Sequence, residues 1–484
     1  MKIAVIGAGI GGLASSVRLA SRGHEVTVFE KNSLPGGKIS EIRENGFRFD
    51  TGPSLFTLPQ LIDDLFAIAG EKREDYIDWF KLESSCKYFF SNGKKLTFYD
   101  DLQKLENEIK RNSFEQFSNV KRRLDDSERL YNLTSNLFIF NDFHKFSNFI
   151  KPENKKILSA LKDLKFGKTM HSVNENEFLD RNIVQLFDRY ATYNGSDPYR
   201  APATLNMIAH LEHNIGTYFP QGGIYQIADA LYRLAIKKGV TFELDSEVEN
   251  ITLRGKRVTG VRVKGEDRLF DRVVCDADVN YVASKLVKHP LERRLKRAEL
   301  STSALIFYWG INRKYDILDV HNVIFSGDYA SEFKLLFERK ILSFDPTIYV
   351  FVSSKAVPAD APDGCENWFV MLNAPIDSGQ NWSTFINQSR AVVIKKINAT
   401  LGIDIEKHIV VEKIATPKTI EKSTNSLHGA LYGSASNSAF SAFLRHPNSV
   451  SGLKNIFFVG GSVHPGGGIP LCLASAAIVD KEFK

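Results

Sequence analysis

Three glycine-rich stretches carry the residues whose types and spacing suggest chemistry. Gly7, Gly9, Gly11 and Gly12, with Ile10 among them, form a Gly-x-Gly-x-x-Gly turn directly after the apolar run Ile3 to Ile6. In such a turn the first glycine permits a tight bend and the second lets the backbone approach a diphosphate. The third lets the next helix pack closely on the sheet. The start of that helix presents free N–H groups and a partial positive charge to phosphate oxygens. Glu30, followed by Lys31, ends the next β run. It stands about 20 residues past the turn, where a carboxylate can accept the hydroxyls of a ribose. Strand, turn, helix, strand and acid in this order predict a dinucleotide site.

The second stretch is Gly36-Gly37-Lys38, followed by Asp50-Thr51-Gly52-Pro53-Ser54. Paired glycines before a base suit a loop passing close to another part of a bound dinucleotide. The third is Gly460 to Pro470, containing Gly461, Ser462, His464, Gly467, Gly468, Ile469 and Pro470. So few side chains let a flat ring lie against the backbone, with a helix N-terminus beneath it. Two strand-to-helix glycine turns at opposite ends of a chain favour a long, extended cofactor, FAD rather than NAD.

These turns require elements to hold them. Block one has a strand at Ile3–Ile6, a helix over Leu13–Ser21 and a strand at Glu25–Phe29. Block two has a helix over Ile224–Lys238 and strands at Val240–Leu244, Val248–Leu253 and Val258–Val263. Block three has a strand at Asn455–Val459 and a closing helix. Between the blocks lie a charged, Phe-rich helical stretch and a region with aromatic β runs at 304–310, 347–352 and 368–372, with a helix over 384–401. The pattern predicts an α/β (α+β overall) protein with a discontinuous Rossmann-like FAD domain. That domain is expected over 1–75, 215–300 and 434–484. A β-sheet domain is expected over 76–101, 191–214 and 301–433, and a helical insertion over 102–190.

The motifs from Gly7 to Pro53 resemble the two-dinucleotide-binding flavoproteins, which include amine oxidases and carotenoid desaturases. Tyr193-Asn-Gly-Ser-Asp-Pro-Tyr-Arg-Ala-Pro202, Tyr218-Phe-Pro-Gln-Gly-Gly223, Ala361-Pro362 with Gly364, and His464 to Pro470 narrow this to the bacterial phytoene desaturase family. The wording of the motifs leans toward its 1-hydroxycarotenoid 3,4-desaturases. The resemblance implies FAD-dependent removal of two hydrogens from a long apolar carotenoid, with hydride passed to the flavin. It also implies that the β-sheet domain is the substrate domain and that the helical insertion is membrane-associated. It implies a cofactor-binding set comprising the glycines above with Ile10, Glu30, Lys31, Lys38, Pro53, Ser54, Val248, Ser462, Ile469 and Pro470. His464 is the candidate proton acceptor, set against a loop-shaping role. No metal is expected, and a quinone or oxygen is the expected electron acceptor. One departure is Gly461-Ser462, where the wider superfamily often has Gly-Asp. The alternatives on this fold are a flavin amine oxidase, a carotenoid isomerase or saturase, and a non-enzymatic chaperone of prenylated GTPases.

Composition agrees with an apolar ligand. The chain of 484 residues holds 35 Phe against 16 Tyr and 4 Trp, so its aromatics mostly lack a polar handle. The charge of +6 is too small and dispersed to argue for nucleic acid. Cys86, Cys275, Cys365 and Cys472 show no C-x-x-C pair, which favours reduced thiols over a disulfide framework. The early apolar run imitates a signal peptide, but its glycines belong to the turn. No window reaches the ~20 apolar residues of a membrane span. Phe140, Phe143, Phe146 and Phe149, with Lys145, Lys151, Lys155 and Lys156, would form one aromatic, basic-flanked helix face. Such a face either packs inward or lies on a membrane surface. The expected location is cytoplasmic, peripheral at the inner face of the membrane.

Overall fold

The computed structural model describes residues 1–148, 164–287, 295, 298–438 and 445–483. Its first sheet is fully parallel and drawn from distant parts of the chain, in the order Ile456–Phe458, Arg272–Cys275, Lys2–Ile6, Glu25–Phe29, Thr241–Glu243. Ile3, Ala4 and Val5 expose no surface, as expected of a parallel strand covered on both faces. The side chains alternate. Ile3 and Val5 enter a core shared with the helices Ile10–Ser21, Tyr225–Lys237 and Ile469–Asp480. Ala4 and Ile6 enter a second core beneath the three-stranded antiparallel sheet Val248–Arg254, Arg257–Val263, Glu266–Leu269.

A seven-stranded mixed sheet stands against this unit, in the order Ile409–Ala415, Ser303–Ile311, Glu366–Ala374, Ile348–Phe351, His321–Ile324, Ser84–Phe89, Lys95–Tyr99. Strand periodicity again divides its residues. Leu305, Phe307 and Trp309 pack beneath the helix Trp382–Leu401, while Ile306, Tyr308, Phe351 and Phe369 turn toward the core of the first unit. The seam between the two sheets is therefore lined by aromatic rings.

Helices Leu102–Asn112, Phe117–Phe138, Met170–Glu177 and Arg181–Asp188 cover the far end. The aromatic stripe departs from expectation. The long helix stops at Phe138, and the chain continues through turns to a short 3-10 turn at Phe146–Asn148. Side chains of Asn and Asp compete with the helix here: Asn141 Nδ2 donates to the Asn136 carbonyl, and the His144 N–H donates to the Asp142 carboxylate. Phe140 and Phe143 pack inward against a cluster containing Leu58, Leu130 and Met207. Phe149, Lys151, Lys155 and Lys156 lie outside the described residues. Among the described residues no helix is long and apolar enough to cross a membrane.

Candidate cofactor site

The first glycine turn closes because each glycine has a backbone angle or a close contact that disfavours a side chain. Gly7 adopts φ +96° and its N–H donates to the Phe29 carbonyl at 2.8 Å. A Cβ on Gly12 would collide with the Gly7 carbonyl, and one on Gly11 would lie 2.8 Å from the Gly460 nitrogen. That last contact brings the two ends of the chain together. The helix begins at Ile10, and its N-cap residue Gly9 offers no capping side chain.

The second stretch folds onto the first. Gly36 donates to the Ala8 carbonyl at 2.7 Å and bridges to Gly9, and Gly37 sits beside Gly9 with its would-be Cβ 3.2 Å from the Gly9 Cα. Gly52 presses on the Lys38 carbonyl, which fixes Pro53 and Ser54 at the same place. In the third stretch Ser462 Oγ accepts the Val279 N–H at 3.0 Å, Gly461 lies against Gly467, and Gly467 lies against the Tyr432 ring. Gly468 caps the helix Ile469–Asp480, which has Pro470 in its first turn. The three stretches thus converge at the carboxyl edge of the parallel sheet, the edge where open α/β folds bind ligands.

Glu30 is buried, with one carboxylate oxygen accepting the Ala8 N–H at 2.8 Å and the other accepting from Asn32. Val248 is brought to the same side: Ser246, two residues before it, donates its N–H to the Glu30 carbonyl. The two lysines are placed differently. Lys31 Nζ is spent on the Lys422 carbonyl and Asn425, and Lys38 Nζ reaches the Leu431 carbonyl. Burial lowers the pKa of both, for Lys38 against the opposing charges of Asp278 and Asp276.

One residue at this site is invisible in the glycine spacing. Asp276 follows the strand Arg272–Cys275, which lies between the two strands that carry the glycine turns. Its carboxylate sits among Gly9, Gly11 and Gly460, each of which would collide with it through a Cβ. Burial pushes its pKa up to about 7, opposed by the N–H groups of Gly12 and Gly9 and by Lys38, and reinforced by Glu30. The turn therefore already holds a carboxyl group of the protein's own. Such a donor set fits the phosphates of FAD, and Glu30 fits its ribose.

Asp50 has a supporting role. Its carboxylate accepts the N–H groups of Ile224 and Tyr225 at the start of a helix while pairing with buried Arg48, which also reaches Glu41 and Asp360. Gly223 (φ +95°) lies directly beneath the Arg48 guanidinium, with no room for a side chain. The segments Phe47 to Pro53 and Tyr218 to Gly223 are thereby locked to each other. His464 is 2% exposed; its Nε2 lies 2.9 Å from the Asn141 carbonyl, and its own carbonyl accepts from Asn448. Burial lowers its pKa to about 4.

Comparison with known proteins agrees with this geometry. Residues 10–306 match the family model of flavin containing amine oxidoreductases. A 1-hydroxycarotenoid 3,4-desaturase from Flavobacterium sp. (strain P99-3) is 43% identical over 99% of this chain and 98% of its own. A 4,4'-diapophytoene desaturase (4,4'-diaponeurosporene-forming) from Staphylococcus aureus (strain bovine RF122 / ET3-1) is 33% identical over 100% of this chain and 98% of its own. Among solved structures, an oxidoreductase from Methanosarcina mazei superposes with TM-score 0.67 at 15% identity, covering 99% of this chain and 100% of that one. Putrescine oxidase bound to putrescine superposes with TM-score 0.65 at 15% identity, covering 100% and 99%. These two share the fold. The chain belongs to the flavin containing amine oxidoreductase family, among its FAD-dependent carotenoid desaturases.

Proposed function

We propose that this carotenoid desaturase introduces a double bond at C3–C4 of a 1-hydroxylated carotenoid end group. The observation that carries this reading is the 43% identity, along nearly the whole of both chains, to a 1-hydroxycarotenoid 3,4-desaturase, against 33% to a diapophytoene desaturase. FAD, when bound, supplies the two-electron acceptor that turns a CH2–CH2 unit into CH=CH, with hydride passed to the flavin and a proton released. The chain's own part is to hold and orient. The glycine turns and Glu30 would fix the dinucleotide. The aromatic seam of Tyr308, Phe351 and Phe369 would bind a polyene by apolar burial at about 25 cal/mol per Å². That dry wall favours a carotenoid over the polar substrate of an amine oxidase.

The proposed division of labour follows the two sheets, with an FAD domain over 1–75, 215–300 and 434–484 and a substrate domain around the larger sheet. The acceptor class proposed for the electrons is a quinone or oxygen. Attachment to a membrane surface, the source of a lipid-dissolved substrate, is supported by exposed Phe114, Phe166 and Leu179 on the helical end. Expression in hosts accumulating defined carotenoid precursors, followed by pigment analysis, tests the reaction. A 3,4-dehydro product from the 1-hydroxylated precursor is expected; unmodified pigment from every precursor would overturn it.

A further inference from the structure

The face of the seven-stranded sheet that meets the cofactor unit is an aromatic wall. Tyr308 packs edge-on to Phe369 at 5.5 Å, Phe369 meets Tyr349 and Phe351, and Phe351 meets Phe219. The wall is tied to the loop expected to touch the flavin at both of its ends. Tyr308 Oη donates to the Thr51 carbonyl at 3.3 Å, and Tyr349 Oη is 2.7 Å from Ser54 Oγ. In this wall stands one imidazole. His321 is 2% exposed and its ring lies flat against Phe351 at 5.1 Å with an interplanar angle of 13°. Its Nδ1 lies 2.7 Å from the same Tyr349 Oη, and its Nε2 has no hydrogen-bond partner among the described residues.

An unmade hydrogen bond on a buried polar atom costs about 1–3 kcal/mol, which a ligand bonding that atom would recover. Burial also keeps this imidazole neutral, with its pKa lowered to about 4, despite the fields of Glu212 and Asp319. A neutral imidazole can bond a hydroxyl in either direction: Nε2 accepts if Nδ1 donates to Tyr349 Oη, and donates if Nδ1 accepts from it. The remaining ligand question is which hydroxyl. A 1-hydroxylated carotenoid carries its oxygen on C1, two bonds from C3, the nearer carbon of the reacting pair. The group that holds it must therefore lie close to the loop that holds the flavin, as His321 does through Tyr349 and Ser54.

We propose that His321 Nε2 is the recognition point for the substrate's C1 hydroxyl, with Tyr349 and Ser54 fixing the ring's orientation. The inference rests on the reading of the chain as a desaturase of 1-hydroxylated carotenoids and makes His321 its specificity residue. A site built to bond a hydroxyl discriminates strongly against a ligand that lacks it, because its polar atom is then left unpaired.

The test uses FAD-loaded enzyme and two carotenoids that differ only in the C1 hydroxyl, supplied in liposomes. Binding is read by quenching of protein fluorescence, and turnover by product analysis. The wild type should bind and turn over the hydroxylated carotenoid at least about tenfold better. His321→Leu should bring both ratios close to unity while turnover of the unhydroxylated carotenoid persists, and His321→Gln should retain part of the preference. Flavin content and near-ultraviolet circular dichroism report folding of each variant. An unchanged preference in His321→Leu, or no preference in the wild type, would overturn the assignment. A binding preference that depends on His321, with neither carotenoid desaturated, would instead overturn the proposed reaction and leave the hydroxyl assignment standing.

Discussion

Asp276 joins charge to cofactor uptake. A carboxylate among the N–H groups of the glycine turn occupies ground that a diphosphate also seeks, and two anions there repel. Protonated Asp276 is compatible with FAD; ionised Asp276 is not. With its pKa near 7 before the cofactor arrives, FAD affinity should fall as pH rises from 6 to 8. Asp276→Asn should bind FAD about tenfold more tightly at pH 8 and with a flatter pH dependence. Titration of cofactor-free protein, followed by flavin fluorescence, checks both; an unaltered slope would refute the coupling. Stability carries the same sign. The unfolded chain loses this proton near pH 4 and the folded chain near 7, so stability falls across that interval and should not do so in the Asn variant. The glycines were legible in the sequence because their spacing is local. Asp276 was not, since its role comes from the strand beside the turn, hundreds of residues away in the chain.

At the scale of elements, His464 links the C-terminal glycine turn to the segment following the long helix, through the Asn141 carbonyl. Its lowered pKa makes it a weak proton acceptor near neutral pH, so a strut is the role its surroundings favour. His464→Ala should lower stability by about 1–3 kcal/mol and weaken flavin retention. Once saturated with FAD it should keep the wild-type pH profile of kcat. Loss of more than about a hundredfold in kcat at full flavin occupancy and unchanged Tm would identify a proton acceptor instead. Most strands and helices could be read from alternation and from glycine boundaries: the expected strand at 304–310 is Ser303–Ile311, and the expected helix at 384–401 is Trp382–Leu401. The threefold Phe spacing after residue 138 misled because periodicity says nothing of Asn141 and Asp142, whose side chains take the backbone partners that a helix needs.

For the whole molecule, the proposed surface attachment rests on exposed apolar side chains at the helical end. Phe114 and Leu179 are exposed close together, since Phe114 and Leu179 donate their N–H groups to the neighbouring carboxylates of Asp180 and Glu115. Phe166 lies near the same end, where Lys165 pairs with Glu177. In liposome flotation the protein should rise with vesicles containing anionic lipid at low salt. Replacing Phe114 and Phe166 with Asp should leave it at the bottom of the gradient. Wild-type protein that stays at the bottom at both low and high salt would overturn the attachment. The carotenoid class was legible only from whole-chain motif order, whereas the polar atom in the aromatic wall required the two sheets to be seen facing each other.

The contact of Gly11 with Gly460 has a consequence for how the enzyme matures. The strand at the centre of the parallel sheet and its glycine turn precede the strand Ile456–Phe458 in the chain, and the two meet only in the fold. A nascent chain can therefore form the first half of the cradle early, yet should not grip its yellow cofactor until the turn at Gly460 has been made. Colour thereby becomes a report on chains translated beyond that turn.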